Sequence, residues 1–149
     1  MNIFYLNKEP WVCAEMHCDK HVCKMIVEYA QLLSTAHRVL DGEQYIDNSS
    51  GRRIKRWKHP DLQMEKNLYK ASFINHPSAV WVRKSKDNYR YLSNLWYELS
   101  LEYEYRYKKV HETFKKLRFY LSLYPINIDW HIGLTEMPQC MPDDDFFFF

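Results

Sequence analysis

Residues 17–28 read HCDKHVCKMIVE and bring two histidines, two lysines, an aspartate, a glutamate and two cysteines into twelve positions. Three readings fit such a stretch. A glutamate beside a lysine and histidines is what proton transfer at neutral pH uses. Two histidines at i and i+4, His17 and His21, can share one metal ion. A solvated helix face has the same composition. On a helical wheel of roughly 100° per residue, His17, His21, Lys24, Glu28, Gln31 and Thr35 share one stripe. Val22, Met25, Ile26, Tyr29, Ala30, Leu33, Ala36 and Leu40 occupy the other side. Cys18 and Cys23 lean toward that apolar side, and Lys24 would set a positive charge beside any ion. Proton transfer or ligand contact is therefore preferred to a metal, and no metal ligands and no cofactor are assigned.

A second constellation lies in FINHPSAVWVRKSKDNY, which gives Asn75 and His76 at a helix entrance, then Arg83, Ser85 and Asn88. Helix N-termini favour anions, because free N–H groups and the dipole point there. Arg83 adds a forked donor suited to phosphate, with an i,i+4 ion pair to Asp87 as the plainer alternative. Asn75 and His76 also read as a helix stop and cap. Trp81 and Trp96 read as core. A third stretch, GRRIKRWKH, carries Arg52, Arg53, Lys55, Arg56 and Lys58 with Trp57 among them and no acid. Cations interleaved with an aromatic suit a nucleic-acid backbone, and solvated loops look the same.

These residues need elements to position them. NIFYL reads as a short extended segment. A helix is expected from about Pro10 to Leu40, with Pro10 in its first turn and a break possible near residues 17–19, where Asp19 can cap a new start. Gly42 would end it in the left-handed conformation. Residues 41–61 read as a polar loop. LQMEKNLYKASFI, 62–74, reads as a second helix stopped by Asn75-His76-Pro77. A long third helix should run from Pro77 to about Lys108, and HETFKKLRFYLSLY forms a fourth or continues it. From about residue 125 the chain reads as irregular, ending in DDDFFFF.

The expected architecture is all-α: a single compact helical bundle over 1–149 with a short extended N-terminal segment and an irregular C-terminal tail. The chain has 149 residues, 46% hydrophobic and 17% aromatic, enough for one packed core. Only 3 glycines argue against a turn-rich β protein. A net charge of +2 neither requires nor excludes a nucleic-acid partner. No apolar run reaches the roughly 18 residues of a membrane span, and the N-terminus lacks the pattern of a signal peptide. A cytoplasmic monomer with reduced thiols at Cys13, Cys18, Cys23 and Cys140 is expected.

HCDKHVCKMIVEYAQLLSTAHRVLDG and NHPSAVWVRKSKDNYRYL are similar to a group of small proteins common in phage genomes. That group resembles, more distantly, the phage pyrimidine-dimer DNA glycosylase family. The shared pattern is an extended N-terminal segment, a helix with histidine followed seven residues later by glutamate (His21 and Glu28), and an Asn-His-Pro entrance to a long helix (Asn75-His76-Pro77). It covers most of residues 1–110. The resemblance implies a helical domain that binds damaged duplex DNA and flips a nucleotide from the stack. An amine attacks the sugar C1′, and Glu28 supports glycosidic cleavage and the later β-elimination, with His21 near the DNA.

Two departures matter. The family's nucleophile is the α-amine exposed after Met removal, whereas Asn2 here is too large for Met1 to be removed before it. The nucleophile would then be the Met1 amine or Lys24. The chain also ends in DDDFFFF where a further aromatic-rich helix is expected. The leading expectation is a DNA glycosylase, with or without AP-lyase activity. Glu28, Lys24 and His21 would be its catalytic groups, with His17, Asn75, His76, Arg83, Asn88, Arg52 and Arg53 contacting substrate. The alternatives are a non-catalytic phage accessory protein that binds nucleic acid or a nucleotide, and a metal-dependent hydrolase using His17 and His21.

Overall fold

A computed structural model of the chain describes residues 2–138. Met1, Cys140 and the DDDFFFF terminus lie outside them. Among the described residues the elements run α1 Pro10–Met16, α2 Asp19–Asp41, β1 Glu43–Asp47, β2 Ile54–Lys58, α3 Leu62–Asn67, α4 Pro77–Lys84, α5 Lys86–Tyr107 and α6 Glu112–Leu121. The fold is mostly helical, and the all-α expectation is corrected by one antiparallel hairpin. No helix among the described residues is long and apolar enough to cross a membrane.

The core follows the helical periodicity. Val22, Ile26, Tyr29 and Leu33 of α2 meet Leu92, Leu95 and Leu99 of α5 and Leu117 and Leu121 of α6, all fully buried. Trp81 and Trp96 are buried as expected, and the Trp96 indole N–H donates to the Ile26 carbonyl at 2.9 Å. Burying a large apolar side chain is worth about 1.5–3 kcal/mol each, so this layer dominates the stabilisation.

The hairpin replaces the expected polar loop. Glu43 faces Lys58, Gln44 faces Trp57, Tyr45 faces Arg56, Ile46 faces Lys55 and Asp47 faces Ile54. β-prone Tyr45, Ile46, Ile54 and Trp57 supply the strand preference, and Glu43 and Lys58 stand opposite one another in the register. The dense charge on these ten residues concealed the alternation. A lone two-stranded ribbon is marginal in water, and this one is held from the α2 side by Arg38.

Arg38 is 4% exposed and satisfies all five of its N–H donors. Nε donates to Tyr69 O, Nη1 to Trp57 O and Glu65 Oε2, and Nη2 to Glu65 O and Leu68 O. One guanidinium therefore ties α2, β2, α3 and the segment after α3 together. Burial acts to raise the Glu65 carboxyl, but the His59 amide and Arg38 outweigh it and hold it below the usual carboxylate range. Gly42 serves the same junction. Its φ of −91° is extended rather than left-handed. A Cβ there would lie 2.4 Å from Arg38 O and 3.0 Å from Lys58 O, so only glycine lets α2 and β2 meet.

Two helix boundaries differ from expectation, and the break foreseen near residues 17–19 is present. The first helix does break, at His17 and Cys18, which take extended backbone before α2 restarts at Asp19. The second helix ends at Asn67, not residue 74; the remainder is a strap, residues 68–76, whose carbonyls serve Arg38 and Arg56 instead of a helical ladder. The third is interrupted at Ser85, whose Oγ caps α5 by accepting from Asn88 N–H and donates to Gly133 O. The irregular segment 125–138 is pinned to the helices. Asp41 accepts from the Ile126 and Asn127 amides, and the Trp81 indole N–H donates to Thr135 O.

Candidate functional site

The N-terminal segment is fixed by a network that recruits two residues from the chemistry-rich stretch and its neighbourhood. His17 Nδ1–H donates to Cys13 O at 2.8 Å, so Nε2 is the acceptor and takes the Tyr29 hydroxyl proton at 2.9 Å. Tyr29 Oη accepts from Phe4 N–H at 3.1 Å. The Cys13 thiol donates to Phe4 O at 3.0 Å and accepts from Leu6 N–H at 3.4 Å. His17 is 2% exposed, and burial pushes its pKa down to about 4. The expectation that His17 contacts substrate is corrected: the helix break turns it off the polar stripe and into the core. With both ring nitrogens engaged, it has no lone pair to share with His21 on a metal.

The rest of the stripe stays on the surface of α2. Phe4 packs its ring on His21, 4.6 Å between centroids, so the pinned N-terminal segment runs beside the stripe. Burial, then the charges of Lys20 and Lys24, push the His21 imidazole below its ordinary value, which keeps it neutral at pH 7. Lys24 Nζ lies 3.9 Å from Glu28 Oε1; the two side chains are 61% and 23% exposed. Glu28 is thus sheltered and flanked by a cation and a neutral imidazole. Lys24 stands in solvent and lacks the desolvation that makes a lysine a nucleophile. At the C-terminal end of the stripe, Thr35 Oγ1 accepts from Ser72 N–H of the strap. Glu28 is two turns from Thr35, on the order of 10 Å along the axis, which brings stripe and strap together.

The strap delivers Asn75 and His76. Asn75 is exposed. His76 is the N-cap of α4: its Nδ1 accepts from Ser78 N–H at 3.1 Å, leaving Nε2–H as a donor. Burial keeps its pKa below the ordinary value, consistent with the neutral form that the cap requires. His59 and His111 make the same two-residue contact, to Asp61 N–H and Thr113 N–H.

Arg83 lies two turns along α4 from His76 and on the same face. Its Nη1 is buried without a hydrogen-bond partner among the described residues, and burial pushes the guanidinium down. The alternative ion pair with Asp87 does not form; Asp87 pairs with Arg90 at 3.7 Å. Asn88 is corrected as a substrate contact. It is fully buried, its amide N–H donates to Trp81 O and Thr135 Oγ1, and its Oδ1 accepts from Thr135 N–H. Nothing of it is left for a ligand.

The hairpin brings its cations to the strap. Arg52 is exposed near the turn. Arg53, Asn75 and His76 line one cavity of about 760 Å³ together with Arg56 and Phe73. Arg56 Nη1 donates to Ala71 O at 2.6 Å, while its Nε is buried without a partner among the described residues.

A cluster unforeseen from the sequence groups His37, Asp41 and His59, with one potential ligand atom of each within 4.8 Å of the others. It does not fit a metal. His59 Nδ1 already accepts from Asp61 N–H, so its Nε2 carries the proton and neither nitrogen offers a lone pair. Tyr89 donates to Leu121 O and therefore accepts from His37 Nε2–H at 2.7 Å. The Asp41 carboxylate is taken by Ile126 and Asn127. The group is a structural joint between α2, the hairpin and the C-terminal segment.

No family model, no curated protein and no solved structure matches this chain.

Proposed function

We propose that this protein binds DNA across the hairpin, the strap and the exposed face of α4, and that it cleaves a glycosidic bond there as a DNA glycosylase with AP-lyase activity. Arg83 carries the reading. A half-buried guanidinium with no carboxylate on it among the described residues is costly, and two turns along α4 from the His76 Nε2–H it fits a phosphate. Arg53, Asn75 and His76 add donors on one surface, while Arg52 extends the charge toward the turn.

In this reading Glu28 is the acid/base. An amine attacks C1′ of the damaged nucleotide, the C1′–N bond breaks, and its electron pair leaves with the base, which takes up a proton. The resulting imine acidifies the C2′ hydrogen; Glu28 removes it and the 3′ phosphate leaves by β-elimination. Because Lys24 is in solvent, the Met1 α-amine is the favoured nucleophile, and it lies outside the described residues. His21, neutral and next to Phe4, contacts the DNA. A second reading, binding without cleavage, follows from the same exposure of Lys24.

Borohydride treatment of the protein with a duplex bearing an abasic site tests both readings. A covalent protein–DNA adduct, and loss of strand cleavage by about 10²-fold or more in Glu28→Gln, are the expected results. Salt-sensitive affinity with neither adduct nor cleavage would leave only the binding module. No affinity for any duplex would sink both.

A further inference from the structure

Phe73 is held in an unusual way. Its φ is +49°, and among the described residues the only other non-glycine with positive φ is Lys108. Lys108 closes α5 as its left-handed C-cap, a common helix ending. Phe73 ends no helix. A left-handed aromatic costs roughly 1–2 kcal/mol, and asparagine or glycine would adopt that conformation more easily. The ring gains no compensating burial, because it is 69% exposed.

The neighbours over-determine this conformation. Ala71 O accepts from Arg56 Nη1, Ser72 N–H donates to Thr35 Oγ1, and Phe73 O accepts from His76 N–H at 2.9 Å. The strap is therefore tied on both sides of Phe73, and the exposed ring lines the open cavity of about 760 Å³ between β2 and the strap. The lining includes Arg53, Lys55 and Arg56 and, among the described residues, contains no acid. Strain maintained around an exposed side chain is a mark of a functional position. An outward aromatic flanked by cations is the arrangement that stacks a base and holds its phosphate.

We propose that this cavity receives one unpaired nucleotide, its base stacked on Phe73 and its phosphate on Arg53 and Arg56. This rests on the reading that the protein binds DNA, and deepens it by assigning a base-stacking subsite. An apolar peptide is the less favoured occupant, because three cations with no acid among the described lining residues suit a polyanion.

Fluorescence of 2-aminopurine in a single-nucleotide bulge tests the subsite, with a fully paired duplex of equal length as control. Wild type should quench the bulged base. Phe73→Ala should abolish the quenching and weaken binding to the bulged duplex roughly tenfold, while affinity for the paired duplex changes less than about twofold. Phe73→Trp should retain both. Phe73→Gly, which relieves the strain, should melt no lower than wild type and still lose the bulge preference. Unchanged bulge binding in both Phe73→Ala and Phe73→Gly overturns the subsite, as does equal loss on both duplexes. Affinity indifferent to salt and to Arg53→Gln indicates a peptide-type groove and also overturns it. Wild type binding neither duplex overturns the DNA reading itself.

Discussion

Tyr29 donates its hydroxyl proton to Nε2 of His17 across 2.9 Å in the core, and the same oxygen accepts from Phe4 N–H. A histidine that could have faced substrate instead orients the tyrosine that holds the N-terminal segment against α2. Tyr29→Phe removes both contacts and leaves a buried imidazole nitrogen and a buried amide unsatisfied. It should cost about 1–3 kcal/mol, read from the urea midpoint. Hydrogen exchange at residues 4 and 6 should accelerate beyond the global change. Unaltered exchange there would show that the network does not position the segment.

The same burial predicts an acid-side loss of stability. His17 and His37 sit at about 4 against an ordinary 6.5. Below pH 6.5 the unfolded chain takes up protons that the native protein refuses until about pH 4. Stability should therefore be full above pH 6.5 and fall between 6.5 and 4, by on the order of 3 kcal/mol per histidine. His21, His76 and His111 act in the same direction, since burial lowers each. Denaturation midpoints measured across that window check the sign; a rise on acidification would contradict it.

Arg38→Lys keeps the charge and loses the fork. Most of the Tyr69, Trp57, Glu65 and Leu68 oxygens bound by the guanidinium would lose their partner. The expected cost is about 3 kcal/mol or more. Hairpin amides should lose exchange protection before those of α5. Wild-type protection in the hairpin would mean that it stands without Arg38.

Arg83→Met separates structure from function. If the guanidinium awaits a phosphate, removing an uncompensated half-buried charge should raise stability by about 1 kcal/mol. DNA affinity should drop roughly tenfold and the salt slope by about one. Melting and salt titrations of one variant read both. Lower stability with unchanged affinity would make Arg83 a packing residue.

His76→Asn keeps an N-cap acceptor, with Oδ1 in place of Nδ1, and deletes the Nε2–H donor. Asparagine caps well, so the melting temperature should stay close to wild type while DNA binding weakens. Unweakened binding would restrict His76 to its capping role.

The long helices were legible from the residues because their causes are local. Apolar residues at helical spacing define the buried faces of α2 and α5, proline opens α1 and α4, and few glycines interrupt them. The polar stripe of His21, Lys24 and Glu28, the capping position of His76 and the core tryptophans follow from the same short-range rules. The hairpin was hidden because strand pairing joins Glu43 to Lys58 across fifteen positions, and charge masked its alternation. Tertiary contacts also decided what individual side chains do. His17 became structural through Tyr29, 12 residues away, and Asn88 through Thr135, 47 away. Arg38 found all its acceptors 19 to 31 positions along the chain. Helical periodicity reaches only a few residues, whereas a buried polar group must find its partner wherever the fold brings one within hydrogen-bond distance.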